Sequence, residues 1–333
     1  MDENDIKVSV YCLAYNHEKF IRNTLDGFVS QKTNFKYEVI IHDDASTDNT
    51  TNIIREYEEK YPDIIKPIYQ TENQYSKGIG IIPNYIVPRI RGKYVAACEG
   101  DDYWCDDYKL QKQFDYMEKH SECSMCVHNT IKHDLETGKE KLFNNWTEIH
   151  ELTLEDVFDG WNVHTSSFFI RGEFFEKEPF PRKYWFRDYI RLTMGYYYGK
   201  IVALPDIMSV YNWNNSAGIT YSVWKKRNAK SLEKMQLKKE YLVEYNKFTE
   251  YKFQDVVYKK IVEEDFNILV VTLDFMDNSK EEFKKLKEQI KHHKYYKNYL
   301  KNISCKNKLK FYIKSMSYIS YKFYKYVRKK LKQ

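Results

Sequence analysis

The chain has no run of about eighteen consecutive apolar residues, the length at which a helix can cross a lipid bilayer. We therefore expect no transmembrane helix. Residues 1–5 are acidic and polar, which a signal peptide is not. Since 42% of the residues are hydrophobic, the chain has enough material for a large core. These features predict a folded protein that stays in the cytoplasm.

Cysteine is scarce and irregularly spaced. The six cysteines follow no disulfide framework, so we expect reduced thiols. Cys123 and Cys126, with His128 close by, resemble one half of a zinc site. A second cysteine pair is missing, however, and residues 123–128 form an apolar run. A buried strand is therefore the favoured interpretation of this segment.

Two nucleotide-binding motifs are also missing. No G-x-G-x-x-G follows the first predicted strand, and no G-x-x-x-x-G-K-[ST] occurs anywhere. Both motifs supply the backbone amides that hold phosphates in their classes of protein. Their absence argues against a nicotinamide-dependent dehydrogenase and against a P-loop ATPase.

The first third of the chain alternates between short apolar runs and amphipathic segments. Repeated β-α-β spacing of this kind predicts an α/β fold with a parallel sheet covered on both faces. Such sheets bind ligands beyond the carboxyl ends of their strands. The predicted strands are 8–13, 37–42, 64–69 and 93–98, and the predicted helices are 18–31, 48–61, 79–90 and 109–119.

Three acids follow the fourth predicted strand. Glu99, Asp101 and Asp102 surround Gly100, which lets the backbone turn sharply. Carboxylates this close repel one another unless a cation lies between them. Their hard oxygen atoms suit magnesium or manganese. A solvated acidic loop is the alternative interpretation.

Polar groups also follow the first two predicted strands. The ring of Tyr15 can stack on a nucleobase, and the carboxylate of Asp44 can accept the imide N–H of uracil. Lys77, in the loop 70–80, can reach a diphosphate, although a lone loop lysine is commonly just solvated. Residues 46–48 are explained equally well as a helix cap. Together with the acidic loop, these groups predict a nucleotide-diphosphate pocket.

The joint pattern resembles the family-2 glycosyltransferases of the GT-A fold. It comprises Tyr15-Asn16, the run from Glu38 to Asp48, and Gly92-Lys93-Tyr94 leading into Glu99-Gly100-Asp101-Asp102. The resemblance covers residues 6–220 in order and spacing. It implies a Rossmann-like mixed sheet with helices on both faces.

The resemblance also implies roles for individual residues on the donor side. Tyr15 and Asp44 match nucleobase contacts, and Leu13 matches a position lining the same pocket. Asp101 matches the acid near the ribose and the metal, and Asp102 matches the principal metal ligand. The sequence departs from the family at two positions: Glu99 stands where Asp is common, so its contact with the metal becomes less direct, and Ala45 stands where Gly is common.

On the acceptor side the resemblance implies that Asp188 is the catalytic base. It lies shortly before a predicted helix and the Gly199-Lys200-Ile201 strand, where an N-cap is the ordinary alternative. His164 matches a residue lining the acceptor side. Trp185 can stack on a sugar face or belong to the core.

The implied activity is that of an inverting, metal-assisted glycosyltransferase of the hexosyltransferase type. It would use Mn²⁺ or Mg²⁺ and a nucleotide diphosphate sugar, with UDP as the expected nucleotide. The expected acceptor is a hydroxyl of a saccharide or lipid-linked saccharide in capsule or cell-wall assembly. The alternative is a non-catalytic protein that uses the same fold to bind a nucleotide sugar or to tether a partner.

The pattern divides the chain at residue 222. Residues 1–222 form the predicted GT-A domain, with a nucleotide-sugar half (1–128) and an acceptor half (129–222). Residues 223–333 are rich in Lys and Glu and predict helices over 223–247, 249–277 and 280–302, suited to packing, dimerisation or membrane approach. From residue 301 onward there are eleven Lys or Arg and no Asp or Glu.

Residues 306–333 predict a basic amphipathic helix. Such a helix can lie on an anionic membrane, which would make the protein peripheral, or pack on the protein's own core. Nucleic acid is a third and less expected partner.

Vesicle flotation tests this basic tail. We expect the full chain to float with vesicles that contain anionic lipid, because cationic side chains are attracted to an anionic surface. A chain ended at residue 305 is expected to lose this recovery. Equal recovery of the two chains would contradict the membrane role.

Overall fold

The computed structural model describes residues 6–159, 163–175, 179–215 and 229–275, together with Glu288 and His292. The chain divides into two compact units, Met1–Tyr221 and Ser222–Gln333.

The first unit is built around one mixed β-sheet. Its strands in the described ranges are β1 (Ile6–Ala14), β2 (Lys36–Asp43), β3 (Ile65–Tyr69), β4 (Tyr94–Ala97), β5 (Tyr103–Trp104), β6 (Cys123–Asp134), β7 (Glu140–Leu142), β8 (His150–Glu151), β9 (Phe169–Arg171) and β10 (Lys200–Trp213). They follow the order β3-β2-β1-β4-β9-β6-β10-β5, with β7 paired to β6 and β8 to β10.

The first four strands pair in parallel, as their apolar runs predict. The remainder of the sheet is mixed. Strand β9 lies antiparallel between β4 and β6, and β5 lies antiparallel to β10. The parallel pairing predicted for the first third of the chain is confirmed, and so is the mixed sheet implied by the family resemblance.

The first helix of this unit buries one face. Its buried positions are Ile21, Thr24, Leu25, Gly27 and Phe28, which is the spacing of an amphipathic helix. The helices in the described residues are α1 (Ile21–Val29), α2 (Thr50–Lys60), α3 (Lys109–Lys119), α4 (Leu154–Phe158), α5 (Gly172–Phe175) and α6 (Arg187–Tyr198).

The segment 79–90 corrects one prediction. It forms a π-helical turn, Ile82–Ile86, followed by a 3₁₀ turn, Val87–Arg89, instead of an α-helix. Pro83 and Pro88 explain the difference, because proline has no N–H to donate and its ring clashes with the preceding helical turn.

The cysteine-rich segment is a strand. Cys123 and Cys126 lie in β6 and are buried free thiols. Across the described parts of the chain, no three His, Cys, Asp or Glu side chains are placed to hold a metal ion together. The buried strand predicted for this segment is thus confirmed.

The second unit contains two long helices in its described part, α7 (Ala229–Phe248) and α8 (Gln254–Phe275), which contact each other. Lys238 pairs with Glu264 and Lys239 with Asp265 across this contact. Within the ranges described, no helix is long and apolar enough to span a membrane. The helix predicted over 280–302 and the tail 306–333 lie outside these ranges, apart from Glu288 and His292.

The contact between α1 and β5 generates a stability prediction. A Cβ added at Gly27 would lie 2.7 Å from the carbonyl oxygen of Trp104. We therefore expect Gly27→Ala to lower the free energy of unfolding by about 1–3 kcal/mol, as overpacking does. Urea unfolding followed by circular dichroism measures this change.

Gly195 in α6 supplies the matched control. A Cβ there would meet Ile201 Cδ1 at 3.4 Å, an ordinary contact. Gly195→Ala should then be neutral or stabilise by up to about 1 kcal/mol, because alanine favours the helix. Equal losses in both variants would contradict the packing argument.

Candidate active site

The carboxyl ends of β1, β2 and β4 meet at one edge of the sheet. The amide of Gly100 donates to the carbonyl of Leu13 at 2.9 Å, and the amide of Asp44 donates to that of Ala14 at 2.9 Å. The loops that follow the three strands are therefore joined by backbone hydrogen bonds. Leu13, Asp44 and the acidic loop 99–102 share one site.

The acidic loop is anchored from two sides. Thr24 of α1 donates its hydroxyl to the carbonyls of Asp102, at 2.6 Å, and Gly100, at 3.1 Å. From β10, the amide of Asn212 donates to Asp102 Oδ1 at 2.9 Å, and its side chain donates to the Asp101 carbonyl at 2.6 Å. Asn215 Nδ2 donates to Asp101 Oδ2 at 2.9 Å.

Gly100 is needed here because of close approach. A Cβ at this position would lie 2.7 Å from His17 Nδ1 and 3.1 Å from the Leu13 carbonyl oxygen. Any side chain would push the acidic loop away from β1.

Asp102 is the most buried of the three acids, with 2% of its surface exposed. Burial raises the pKa of its carboxyl well above the usual range, and the charges of Asp101 and Glu99 raise it further. A cation at this point would remove the cost of ionising Asp102. Asp101 and Asp102 thus have the donor chemistry of a magnesium or manganese site that shares its ion with a diphosphate.

Glu99 faces a different neighbour. Burial, with the charges of Asp188 and Asp101, raises the pKa of Glu99 to about 8, while Arg191 opposes this. The charge of Asp188 therefore acts on Glu99, which brings Asp188 close to the acidic loop.

The nucleobase side is occupied by a loop. Asp44 is buried, and its two carboxylate oxygens accept the amides of Gln74, at 2.7 Å, and Tyr75, at 3.0 Å. A carboxylate has about four acceptor positions, so Asp44 retains room for an imide N–H. Tyr15 lies at the end of β1 with 43% of its surface exposed. Lys77 is paired with Glu72 in the same loop.

Ala45 stands in the left-handed region, with φ of 61°. Glycine adopts this backbone conformation without strain, whereas a Cβ makes it unfavourable. The structure therefore explains why glycine is common at this position in the resembling family.

Asp188 is the second residue of α6, and its side chain is 53% exposed. The N-cap is Phe186, so Asp188 does not cap the helix. Arg191 Nη1 lies 3.6 Å from Asp188 Oδ1 and is itself buried. Trp185, next to the helix, is 37% exposed.

His164 lies beside the acidic loop. Its Nε2 is 3.6 Å from Asp102 Oδ2, and its ring stacks on Tyr211 with a centroid distance of 4.0 Å. Burial lowers the pKa of His164 to about 3, so the ring is neutral.

Several site residues were missed in the sequence. Thr24, Asn212 and Asn215 hold the acidic loop, and Arg191 holds Asp188, yet none of them belongs to a motif. Arg191 alone carried a signal, because it follows Asp188 by three residues, one turn along a helix. The sequence also predicts a loop over the donor at residues 214–218, of which 216–218 lie outside the described residues.

Trp104 packs beneath the acidic loop. It is 3% exposed, and its Nε1 donates to the Ser166 carbonyl at 3.0 Å. Its neighbour Lys109 is completely buried, with Nζ 4.1 Å from the centre of the Trp104 ring and 2.7 Å from Gln113 Oε1. Burial lowers the pKa of Lys109 to about 7. Trp104 therefore supports the loop and does not face an acceptor.

A Rossmann-like mixed sheet with an acidic loop after its fourth strand defines the GT-A class of nucleotide-diphospho-sugar transferases. The family model described as Glycosyl transferase family 2 matches residues 9–178. The chain belongs to this family.

Two relatives are similar to part of this chain. It is similar to the uncharacterized protein Rv1520 of Mycobacterium tuberculosis, with 35% identity over 225 residues, 66% of this chain and 62% of the relative. It is also similar to TuaG of Bacillus subtilis, a putative teichuronic acid biosynthesis glycosyltransferase, with 37% identity over 34% of this chain and 43% of that protein. The match thus spans less than two thirds of either relative.

Two solved structures share the fold. TarS from S. aureus, in complex with UDP-GlcNAc, has a TM-score of 0.53 at 17% identity, covering 80% of this chain and 81% of that chain. The mannosyltransferase PcManGT from Pyrobaculum calidifontis, in complex with GDP-Man and Mn²⁺, has a TM-score of 0.51 at 14% identity, covering 93% and 86%. At these identities the likeness establishes the GT-A fold.

Asp44 generates a prediction about the loop 70–80. Asp44→Asn replaces one carboxylate oxygen by an NH₂ group, which cannot accept an amide. We expect a loss of about 1–3 kcal/mol of stability, the cost of leaving a buried polar group unsatisfied. Hydrogen exchange at the amides of Gln74 and Tyr75 is expected to become faster.

Glu72→Gln is the matched control, because it breaks only the exposed pair with Lys77. Exposed ion pairs contribute about 0–1 kcal/mol. Unchanged protection of the two amides in the Asp44 variant would contradict the role assigned to Asp44.

Proposed function

We propose that this chain is an inverting glycosyltransferase that moves a hexose from a nucleotide diphosphate sugar to an acceptor hydroxyl. One observation carries the proposal. Glu99 lies within electrostatic reach of both Asp101 and Asp188. An acid that can bind the donor's cation and an acid that can serve as base are therefore both close to Glu99, and the proposal places the sugar between them.

The proposed donor is a UDP-sugar. Tyr15 offers an exposed ring for stacking, and Asp44 offers acceptor positions beside it for the imide N–H of uracil. Leu13 lines the same edge of the sheet. Lys77 is paired with Glu72, and in the proposal it pairs with a phosphate of the donor instead. The UDP-GlcNAc complex of TarS, which shares the fold, supports this choice of donor.

A divalent cation, Mn²⁺ or Mg²⁺, fits the acidic loop. Asp102 and Asp101 would hold it, with donor oxygens completing its shell. Once bound, it would offset the charge of the diphosphate and make UDP a better leaving group. Glu99, whose side chain is one methylene longer than that of Asp, is the less direct ligand of the three.

Asp188 supplies the base. Its exposed carboxylate can accept the proton of an acceptor hydroxyl while that oxygen attacks the anomeric carbon from the face opposite the diphosphate. One displacement inverts the configuration. Arg191, fixed within the core, orients Asp188 through their 3.6 Å contact and stabilises its ionised form.

The proposed acceptor is a saccharide or lipid-linked saccharide used in surface polysaccharide assembly. Trp185, exposed beside the helix that carries Asp188, offers an aromatic face for a sugar ring. The name of TuaG supports a cell-wall polymer as the product. Peripheral attachment to the membrane through residues 306–333, and pairing of chains through the C-terminal helices, belong to the same proposal.

A non-catalytic nucleotide-sugar-binding protein is the alternative. Such a protein needs Tyr15, Asp44 and Asp102 but has no use for Asp188. The two functions therefore differ at a single residue.

Asp188→Asn is expected to lower the rate of UDP release by about 100- to 10,000-fold, the range typical of removing a general base. UDP binding, measured by calorimetry, should stay within about twofold, because Asp188 lies apart from the nucleobase contacts. Glu155→Gln, an exposed acid on α4, is the matched control and should leave both values unchanged. Near-normal turnover in the Asp188 variant would reject the base.

A further inference from the structure

Two potential metal-binding atoms face each other at the acidic loop. Asp102 Oδ2 and His164 Nε2 are 3.6 Å apart, and their side chains are 3% and 13% exposed. Asp102 Oδ1 accepts the Asn212 amide, whereas Oδ2 accepts no hydrogen bond from any residue that the structure describes. A separation of 3.6 Å is too long for a good hydrogen bond. Two neighbouring ligands of one ion, each about 2.1 Å from it, lie about 3 Å apart in octahedral geometry.

A buried chain of hydroxyl groups orients the imidazole. His164 Nδ1 lies 2.8 Å from Ser166 Oγ, and Ser166 Oγ donates to Ser209 Oγ at 2.8 Å. Thr130 continues the chain, 2.9 Å from Ser209. When Ser166 Oγ accepts a proton from His164 Nδ1, that nitrogen is the protonated one of the ring. In the other tautomer Nδ1 accepts the Ser166 amide at 3.3 Å, and Nε2 carries the proton.

The tautomer with its proton on Nδ1 leaves a lone pair on His164 Nε2, and it is the tautomer that a bound metal ion selects. The lone pair and the free oxygen of Asp102 are then two acceptors directed at the same space, an arrangement that only a cation or a shared proton stabilises. A histidine whose second nitrogen donates to a fixed oxygen is the usual form of a metal-ligating histidine.

Strand β10 fixes both groups. Tyr211 stacks on the His164 ring, and the next residue, Asn212, binds Asp102 through its amide. Ser209, on the same strand, accepts the hydrogen bond from Ser166 Oγ. The two candidate ligands are therefore held by successive parts of one strand.

We propose that His164 Nε2 is a protein ligand of the divalent cation, together with Asp102 Oδ2. This inference rests on the metal-assisted function proposed above and gives His164 a role on the donor side instead of the acceptor side. A mixed nitrogen and oxygen set favours Mn²⁺ over Mg²⁺, because imidazole suits transition metals whereas Mg²⁺ prefers oxygen. The remaining positions of the ion are left for phosphate oxygens.

The direct test uses the full chain with Mn²⁺ and UDP as probes. Pulsed electron paramagnetic resonance of bound Mn²⁺ is expected to show the coupling of a directly bonded imidazole nitrogen. Bound Mn²⁺ without this coupling would overturn the proposal, as would failure of the chain to bind Mn²⁺ in the presence of UDP. No variant is needed for this reading.

The Mn²⁺ affinity of substituted chains is the second test. His164→Gln should weaken Mn²⁺ binding at least tenfold, and Ser209→Ala should weaken it about tenfold, the lower end for loss of a hydrogen bond that supports a ligand. His133→Gln, a histidine paired with Glu140 in the hairpin of β6 and β7, is the matched control. Mn²⁺ affinity within twofold of the parent in a folded His164 variant would overturn the proposal.

Turnover separates this inference from the proposed function. Release of UDP from a UDP-sugar is measured in parallel with and without a chelator. Nitrogen coupling without turnover would support the ligand and count against the transferase, whereas turnover without nitrogen coupling would do the reverse.

Discussion

The repulsion between like charges is the main constraint on the acidic loop 99–102. Three carboxyl groups lie within four residues, and burial makes their repulsion stronger than it would be in water. Hydrogen-bond donors from elements far apart in sequence hold the loop in place. They are Thr24 of α1, Asn212 of β10, and Asn215, which follows β10 by two residues. The carbonyls of Gly100, Asp101 and Asp102 and one carboxylate oxygen of each aspartate are engaged by these donors, which favours one conformation of the acidic loop.

The sequence predicted the elements whose stability is local. Strands β1, β2 and β4 are continuous apolar runs, and α1, α2 and α3 carry apolar residues at helical spacing. The antiparallel strands could not be found in this way. Strands β5 and β9 are two and three residues long, and their pairing partners lie up to about a hundred residues away, so no local period marks them. The two prolines in 82–89 argue against an α-helix, but the apolar pattern of the segment favoured one in the prediction.

The same division applies to the site. The rule that parallel strands bind ligands at their carboxyl ends was enough to group Tyr15, Asp44 and the acidic loop. It could not say which oxygen faces which neighbour. The charge of Asp188 raises the pKa of Glu99, and Asp44 accepts the amides of Gln74 and Tyr75. Lys109, a residue type usually found in solvent, is buried against Trp104 and Gln113. Each of these depends on side-chain packing between distant segments.

Strand β10 begins at Lys200, shortly after the helix that carries Asp188, and near its other end Asn212 binds Asp102. Two register irregularities lie between Leu204 and Ser209, inside this strand. A residue inserted or deleted there would shift Asn212 along the sheet, and the hydrogen bond that positions Asp102 would shift with it.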